Sequence, residues 1–308
     1  MGSGVNIGKN LTIQERKLVY LKNACVALVS AKRYNSECDV ALITNLDDNE
    51  IPSEIHEIFS REDIKIFHIP FDNFILGKYT PWGLDLYKLC ALDYIINKMS
   101  YDNFLYVDAD VYVQGSLAPV WEEVQENILL YDINEGLNVP DYVRFLKENR
   151  EFYPEKKFFT RYGGEFFAAN REKAKEFIEA SHEFVNRVKL SGREFTNGAE
   201  VVYSIVADKF RHIIKNAGGY IFRFWTGDFW LVSSCYRWNA VTILHMPAEK
   251  ERGLMRIYKE YILKGKLPAN KEVWKICRLS GSRYTGRSLK GKIKLFIKEH
   301  LLTGKIKR

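Results

Sequence analysis

Tyr106-Val107-Asp108-Ala109-Asp110-Val111-Tyr112-Val113 sets two carboxylates two residues apart inside an otherwise apolar, β-prone run. Read as one strand, the pleat repeats every second residue and sends both acids to the same side. Unpaired carboxylates are expensive to bury, so such a pair needs a cation or several hydrogen-bond donors, and hard oxygen ligands suit Mg2+ or Mn2+. An Asp-x-Asp triplet alone is weak, since about one arises by chance in a chain of this size at ordinary Asp usage. The setting adds weight, because a pair at the tip of an apolar strand sits where open α/β sheets bind ligands. The bland alternative is a hydrogen-bonded turn.

Short apolar runs flank this segment: Val40 to Thr44, Ile64 to Ile69, Phe104 to Val107 and Ile128 to Tyr131 read as strands. Helical stretches lie between them. Thr12-Ile13-Gln14-Glu15 has capping-box spacing and opens a helix to about Ser30, and Thr80-Pro81 puts a cap and a first-turn proline before a helix from Trp82 to Lys98. Gly163 to Asn170 reads as a strand, with Asn170 capping a helix from Arg171 to about Val188. A further helix follows near Glu200 to Lys209, and the strand Val241 to Leu244 ends at His245. The alternation predicts an α/β fold with a mixed, mostly parallel sheet flanked by helices. Ahead of the first helix only Val5-Asn6-Ile7 is strand-like. The expected organisation is one domain over residues 5–265 and a basic helical extension over 266–308.

Composition narrows the class. Hydrophobic residues make up 46% of the 308, enough to bury a sizeable core. Met1-Gly2-Ser3-Gly4 reads as a cloning remnant, and nothing after it has the pattern of a secretion signal. The apolar stretches fall short of the roughly 20 residues a spanning helix needs, so no membrane span is expected. The cysteines, Cys25, Cys38, Cys90, Cys235 and Cys277, are scattered without a CxxC pair and read as thiols in a reducing cytoplasm. Residues 287–308 hold eight Lys or Arg against one acid, Glu299, so this tail alone accounts for the net charge of +7. The body is neutral, and no nucleic-acid partner is expected of it.

With these motifs in order, the chain resembles the GT-A glycosyltransferases. It is most similar to family 8, which includes the lipopolysaccharide galactosyl- and glucosyltransferases and glycogenin, with an echo of the family 6 blood-group transferases. Leu86-Tyr87-Lys88-Leu89 ahead of Phe104 to Asp110 is similar to that family's basic helix residue followed by its "YLDaD" strand, which implies that Lys88 touches the donor. Gly163 to Asn170 resembles the strand lining the sugar pocket. Glu165 stands there where the family has a small residue, which leaves its role open among the donor-binding positions. Asn197-Gly198-Ala199-Glu200-Val201-Val202-Tyr203 falls where family 8 has "DQDxLN" and family 6 "DExHLN", implying catalytic roles for Asn197 and Glu200. Leu244-His245-Met246-Pro247-Ala248-Glu249-Lys250 is similar to the "H-x-x-G-x-x-K" element, one residue shorter and without its glycine.

The resemblance implies a metal set of Asp108, Asp110 and His245, donor contacts from Lys88, Asp108, Lys250 and Glu165, and a UDP-hexose donor. An imidazole among the ligands suits Mn2+ slightly better than Mg2+. It also implies transfer with retention to a glycan or glycolipid acceptor, in which a carboxylate such as Glu200 would stabilise an oxocarbenium-like centre. Physically, each residue also has a plainer reading: His245 as a hydrogen-bonded core histidine, Lys250 as a solvated charge, Glu200 as a helix-surface acid. Asp132 is either a donor-site acceptor or a turn residue, and Trp225-Thr226-Gly227-Asp228-Phe229-Trp230 either stacks on an acceptor sugar or packs in the core.

In the tail, Leu289, Ile293, Phe296 and Ile297 share one helical face among lysines, an interfacial pattern that suits peripheral binding to an anionic membrane from the cytoplasmic side. A solvated cationic tail is the alternative. Two other functions compete: a nucleotidyltransferase, which should show a glycine-rich phosphate loop richer than Gly8-Lys9-Asn10, and a membrane- or nucleic-acid-binding module on an inactive transferase fold.

Overall fold

Thr12 opens the first helix as its spacing predicts. Its hydroxyl accepts from the Glu15 N–H at 3.2 Å while the Glu15 carboxylate accepts from the Thr12 N–H at 2.7 Å. The computed structural model describes residues 11–76, 83–134, 136–193, 198–226, 238–279 and 293.

Helix α1 (Ile13–Tyr34) is followed by β1 (Val40–Thr44), α2 (Ser53–Arg61) and β2 (Ile64–His68), a β-α-β unit whose strands pair in parallel from Val40↔Ile64 to Thr44↔His68. The proposed Thr80-Pro81 cap lies outside the described residues. The helix it was meant to open is present as α3 (Tyr87–Lys98), entered through a 3-10 turn at Gly83–Leu86. Next come β3 (Asn103–Val107), β4 (Val111–Val113), α4 (Ala118–Glu123), β5 (Ile128–Asp132) and α5 (Pro140–Arg150). Then follow β6 (Tyr162–Asn170), α6 (Arg171–Ser191), α7 (Gly198–Lys209), β7 (Ile214–Asn216), β8 (Ile221–Arg223) and β9 (Ile243–His245). Asn170 caps α6 as expected, its side chain accepting from Lys173 N at 3.0 Å.

The architecture is α/β with mixed sheets. One sheet runs β3-β6-β5-β7, a second β4-β9-β8, and β1-β2 pair by themselves. Among the described residues, β1/β2, β5/β7 and β8/β9 are parallel, whereas β3/β6, β5/β6 and β4/β9 are antiparallel. Strand β6 lies between two partners and is buried from Gly163 to Ala169, which explains its unbroken apolar run.

One expectation is corrected. Tyr106 to Val113 is not a single strand whose pleat aligns the two acids. β3 ends at Val107, paired with Phe166 of one sheet, and β4 begins at Val111, paired with His245 of the other. Asp108-Ala109-Asp110 is the crossover between sheets, and its backbone groups are taken up on both sides: Asp108 N donates to Glu165 O at 3.2 Å and Asp110 O accepts from Met246 N at 2.9 Å. The run is apolar because each half packs in its own sheet, β4 fully buried and Tyr106 and Val107 partly so.

Helix α1 anchors β4, since the Ser30 hydroxyl accepts from Val113 N at 2.9 Å and Asn35 Oδ1 from Leu117 N at 2.6 Å. Two later helices, Gly253–Lys264 and Asn270–Ile276, close over α1. Val273, Ile276, Cys277 and Leu279 share one core with Leu21, Cys25 and Tyr258, so the chain beyond Gly265 is packed on the body through residue 279. Of the basic tail, only Ile293 is described. No described helix is long and apolar enough to cross a membrane.

Candidate metal and donor site

The crossover between sheets delivers both aspartates to one place. Asp108 leaves the end of β3 with its carboxylate 3.0 Å from Lys88 Nζ, and it accepts a 3.0 Å hydrogen bond from the Tyr106 hydroxyl. Lys88 stands in the first turn of α3 and pairs as well with Asp85, three residues earlier, at 2.6 Å. Burial opposes the charge on Lys88, but Asp108 and Asp85 override it and raise the ammonium pKa well above its ordinary value.

Asp110 is buried, 3.1 Å from Lys250 Nζ and 3.2 Å from His245 Nε2. Desolvation would raise its carboxyl pKa, yet His245 and Lys250 hold it well below the usual carboxylate range. His245 ends β9 with both ring nitrogens engaged, Nε2 at Asp110 and Nδ1 3.2 Å from Glu165 Oε1. Burial works against the imidazolium, but the two carboxylates push the pKa up to about 9. Lys250 lies over the Tyr20 ring of α1, 5.5 Å from its centroid. Its pKa is raised in spite of burial, through Asp110 first and Tyr20 after it.

Asp108, Asp110 and His245 each offer one ligand atom within 4.8 Å of the others. Two carboxylates and an imidazole form a donor set that fits Mn2+ or Mg2+, and the two acids converge from the ends of separate strands. The charge balance fits too. The cations neutralising these acids are a ring whose Nε2 would exchange its proton for a metal bond and two ion-paired lysines, Lys88 and Lys250.

Two more acids extend the cluster. Glu165 on β6 is 1% exposed and receives both Nε and Nη2 of Arg223, each at 2.6 Å. Burial would raise its pKa, but Arg223 and His245 hold it well below the ordinary range. Glu200, in the first turn of α7, accepts from Arg161 Nη2 at 2.8 Å and Nε at 3.2 Å, and lies 3.4 Å from Arg223 Nη2. A continuous ionic chain therefore runs Arg161–Glu200–Arg223–Glu165–His245–Asp110–Lys250. Gly164 lets the site close: a Cβ there would lie 3.2 Å from Lys88 Nζ and 3.4 Å from Asp85 Oδ2.

Lys88, Asp108, Asp110, Glu165, Glu200, His245 and Lys250 thus belong to one connected cluster, while Asn197 lies outside the described residues. Asp132 serves its turn, accepting from Asn134 N at 2.9 Å and Asn134 Nδ2 at 2.7 Å. In the aromatic segment, Trp225 is half-buried and Thr226 is buried, its hydroxyl on Glu249 and within 3.3 Å of Arg278, and residues 227–230 lie outside the described residues. Sequence reasoning missed Asp85, Arg161, Arg223 and Tyr20. Asp85 carries a usable signal, its i,i+3 spacing to Lys88 at a helix start. The two arginines carry none, because their partners are 39 and 58 residues away in the chain.

No protein-family model matches the chain, and no curated protein matches it in sequence. Solved structures do. An active-site mutant of LgtC, a galactosyltransferase, superposes with a TM-score of 0.52 at 15% identity, covering 84% of this chain and 96% of that one. The apo structure of the bifunctional glycosyltransferase WbbM gives a TM-score of 0.52 at 10% identity, covering 83% of this chain and 49% of that larger one. Mouse xyloside xylosyltransferase 1 is also similar, at a TM-score of 0.48 and 12% identity over 75% of this chain and 93% of that one. The first two likenesses show that the chain has the GT-A glycosyltransferase fold.

Proposed function

We propose that this chain is a metal-dependent glycosyltransferase that moves a hexose from a UDP-hexose donor to a glycan or glycolipid acceptor. The observation that carries the reading is the convergence of Asp108, Asp110 and His245 between two lysines, Lys88 and Lys250, at the strand ends of a GT-A fold. Asp108, Asp110 and His245 would hold Mn2+, or Mg2+, which when bound neutralises the charge that develops on a departing diphosphate. Lys88 and Lys250, each paired with one of the aspartates, would supply positive charge to phosphate oxygens where negative charge grows.

Glu200 is the carboxylate nearest a sugar-side role. Arg161 and Arg223 grip it from two directions and fix its orientation, which favours a group that must sit under an anomeric carbon without roaming. Asn197, outside the described residues, is given a catalytic role by the resemblance alone. Retention is the expected stereochemistry. The tail supplies the acceptor argument: a neutral body with its whole net charge in one amphipathic segment suits an enzyme that works on a lipid-linked acceptor at an anionic cytoplasmic leaflet.

The direct test is nucleotide-sugar binding and turnover by the full-length protein, with Mn2+ and then with excess chelator. UDP-sugar binding that appears with Mn2+ and disappears with chelator supports the reading. A protein that binds no nucleotide-sugar in the presence of Mn2+ overturns it.

A further inference from the structure

Glu165 is the most enclosed acid of the cluster, and its surroundings are built for it. Its carboxylate takes the bidentate fork of Arg223 at 2.6 Å on each oxygen, and Oε1 also meets His245 Nδ1 at 3.2 Å. Gly163, two residues earlier and on the same face of β6, leaves the space this pair fills. A Cβ there would overlap the Glu165 carboxylate and come within 2.9 Å of Arg223 Nη2. A buried ion pair is a poor way to gain stability, since apolar side chains of similar volume serve as well or better. Its geometry points elsewhere. A carboxylate on one nitrogen of an imidazole fixes both the ring's rotation and its tautomer, and so decides which nitrogen faces a metal. Here the other nitrogen, Nε2, lies 3.2 Å from Asp110 Oδ2, inside the candidate ligand set.

We propose that Glu165, locked by Arg223, is the positioning residue that turns His245 Nε2 toward the metal, rather than a group that touches the donor. The inference rests on the metal reading above. Glu165 is 1% exposed and already faces Arg223 and His245, so burial rather than a lack of acceptor sites keeps a donor from its carboxylate.

The test is Mn2+ titration of the full-length protein by electron paramagnetic resonance, with echo modulation reading the coordinated imidazole nitrogen. Wild type is compared with Glu165→Gln, Arg223→Lys and a His245→Ala control. Loss of an outer partner of a ligating histidine weakens metal binding by about 10- to 100-fold. Glu165→Gln should fall in that range with attenuated nitrogen modulation, and Arg223→Lys should lose less. Wild-type affinity and modulation in a folded Glu165→Gln overturn the proposal.

A measurement on wild type covers the case in which that variant does not fold. With Cd2+ as a diamagnetic stand-in, nitrogen-15 spectra should show His245 bound through Nε2 and still protonated at Nδ1, and binding through Nδ1 overturns the proposal. A wild type that binds no Mn2+, or binds it without an imidazole nitrogen, instead overturns the metal reading and this inference with it.

Discussion

Asp110 and His245 lie 135 residues apart in the chain and 3.2 Å apart in space, brought together where β4 and β9 pair. The ladder places Val111 opposite His245, so the residue just before β4 meets the last residue of β9. Met246 N closes the contact by donating to Asp110 O at 2.9 Å. The two candidate ligands are thereby set by backbone hydrogen bonds rather than by loops.

This relationship separates the two aspartates. Asp108→Asn and Asp110→Asn should both abolish Mn2+-dependent nucleotide binding and transfer. Without metal, however, Asp110→Asn should lower stability more, because it strands a buried His245 and Lys250, and removing one partner of a buried pair costs about 3–5 kcal/mol. Asp108 is more exposed, at 24% of its side chain, and should cost less. Denaturant titration with chelator present measures the difference. Equal stability losses would contradict the buried network, and full activity of either variant with Mn2+ strictly limited would contradict the metal assignment.

Lys88→Met should weaken UDP-sugar binding by roughly 10- to 100-fold, the value of one charge-assisted hydrogen bond to a phosphate. Gly164→Ala should show a smaller loss in the same direction, since its methyl would press on Lys88 Nζ from 3.2 Å. Calorimetric titration with Mn2+ present checks both. Unchanged affinity in Lys88→Met would remove that residue from the donor site.

The loop carrying Lys250 is secured from behind. Glu249 is fully buried and pairs with Arg278, with the Thr226 hydroxyl on the same carboxylate. Arg278→Met should therefore destabilise the protein by about 3–5 kcal/mol, even though Arg278 lies beyond the last described helix. A loss below about 1 kcal/mol, the range of surface pairs, would show that the clamp is not needed.

Glu200→Gln should reduce turnover far more than donor binding, and the wild-type product should keep the donor's anomeric configuration. NMR of the first-formed product reads the linkage. An equatorial linkage from an axial donor would mean inversion and would take the proposed role from Glu200.

Deletion of residues 285–308 should leave sugar transfer to a soluble acceptor intact and abolish flotation with anionic liposomes. Attraction to such a surface is screened beyond about 8–10 Å at physiological salt, so full-length protein should release as ionic strength rises. If both forms float equally, or neither does, the tail is not an anchor and a soluble acceptor is the better assignment.

Much of this molecule is written locally. The capping box at Thr12, the cap at Asn170 and the strand from Val40 to Thr44 are legible because each depends on residues within a turn or a pleat of one another. The α/β class follows from the same short-range patterns. His245 and Lys250 are identified by the resemblance, since an imidazole at a strand end has no local property that distinguishes a ligand from a core histidine.

Tertiary structure alone decided the rest. The apolar run from Tyr106 to Val113 hides its break, because a residue paired in one sheet and a residue paired in another look alike in sequence. What separates them is which distant strand supplies the hydrogen bonds, Phe166 for Val107 and His245 for Val111. The partners of Glu165 and Glu200 are likewise invisible in one dimension, because a buried carboxylate's charge is balanced by whichever arginine the fold delivers to it, at separations that carry no period.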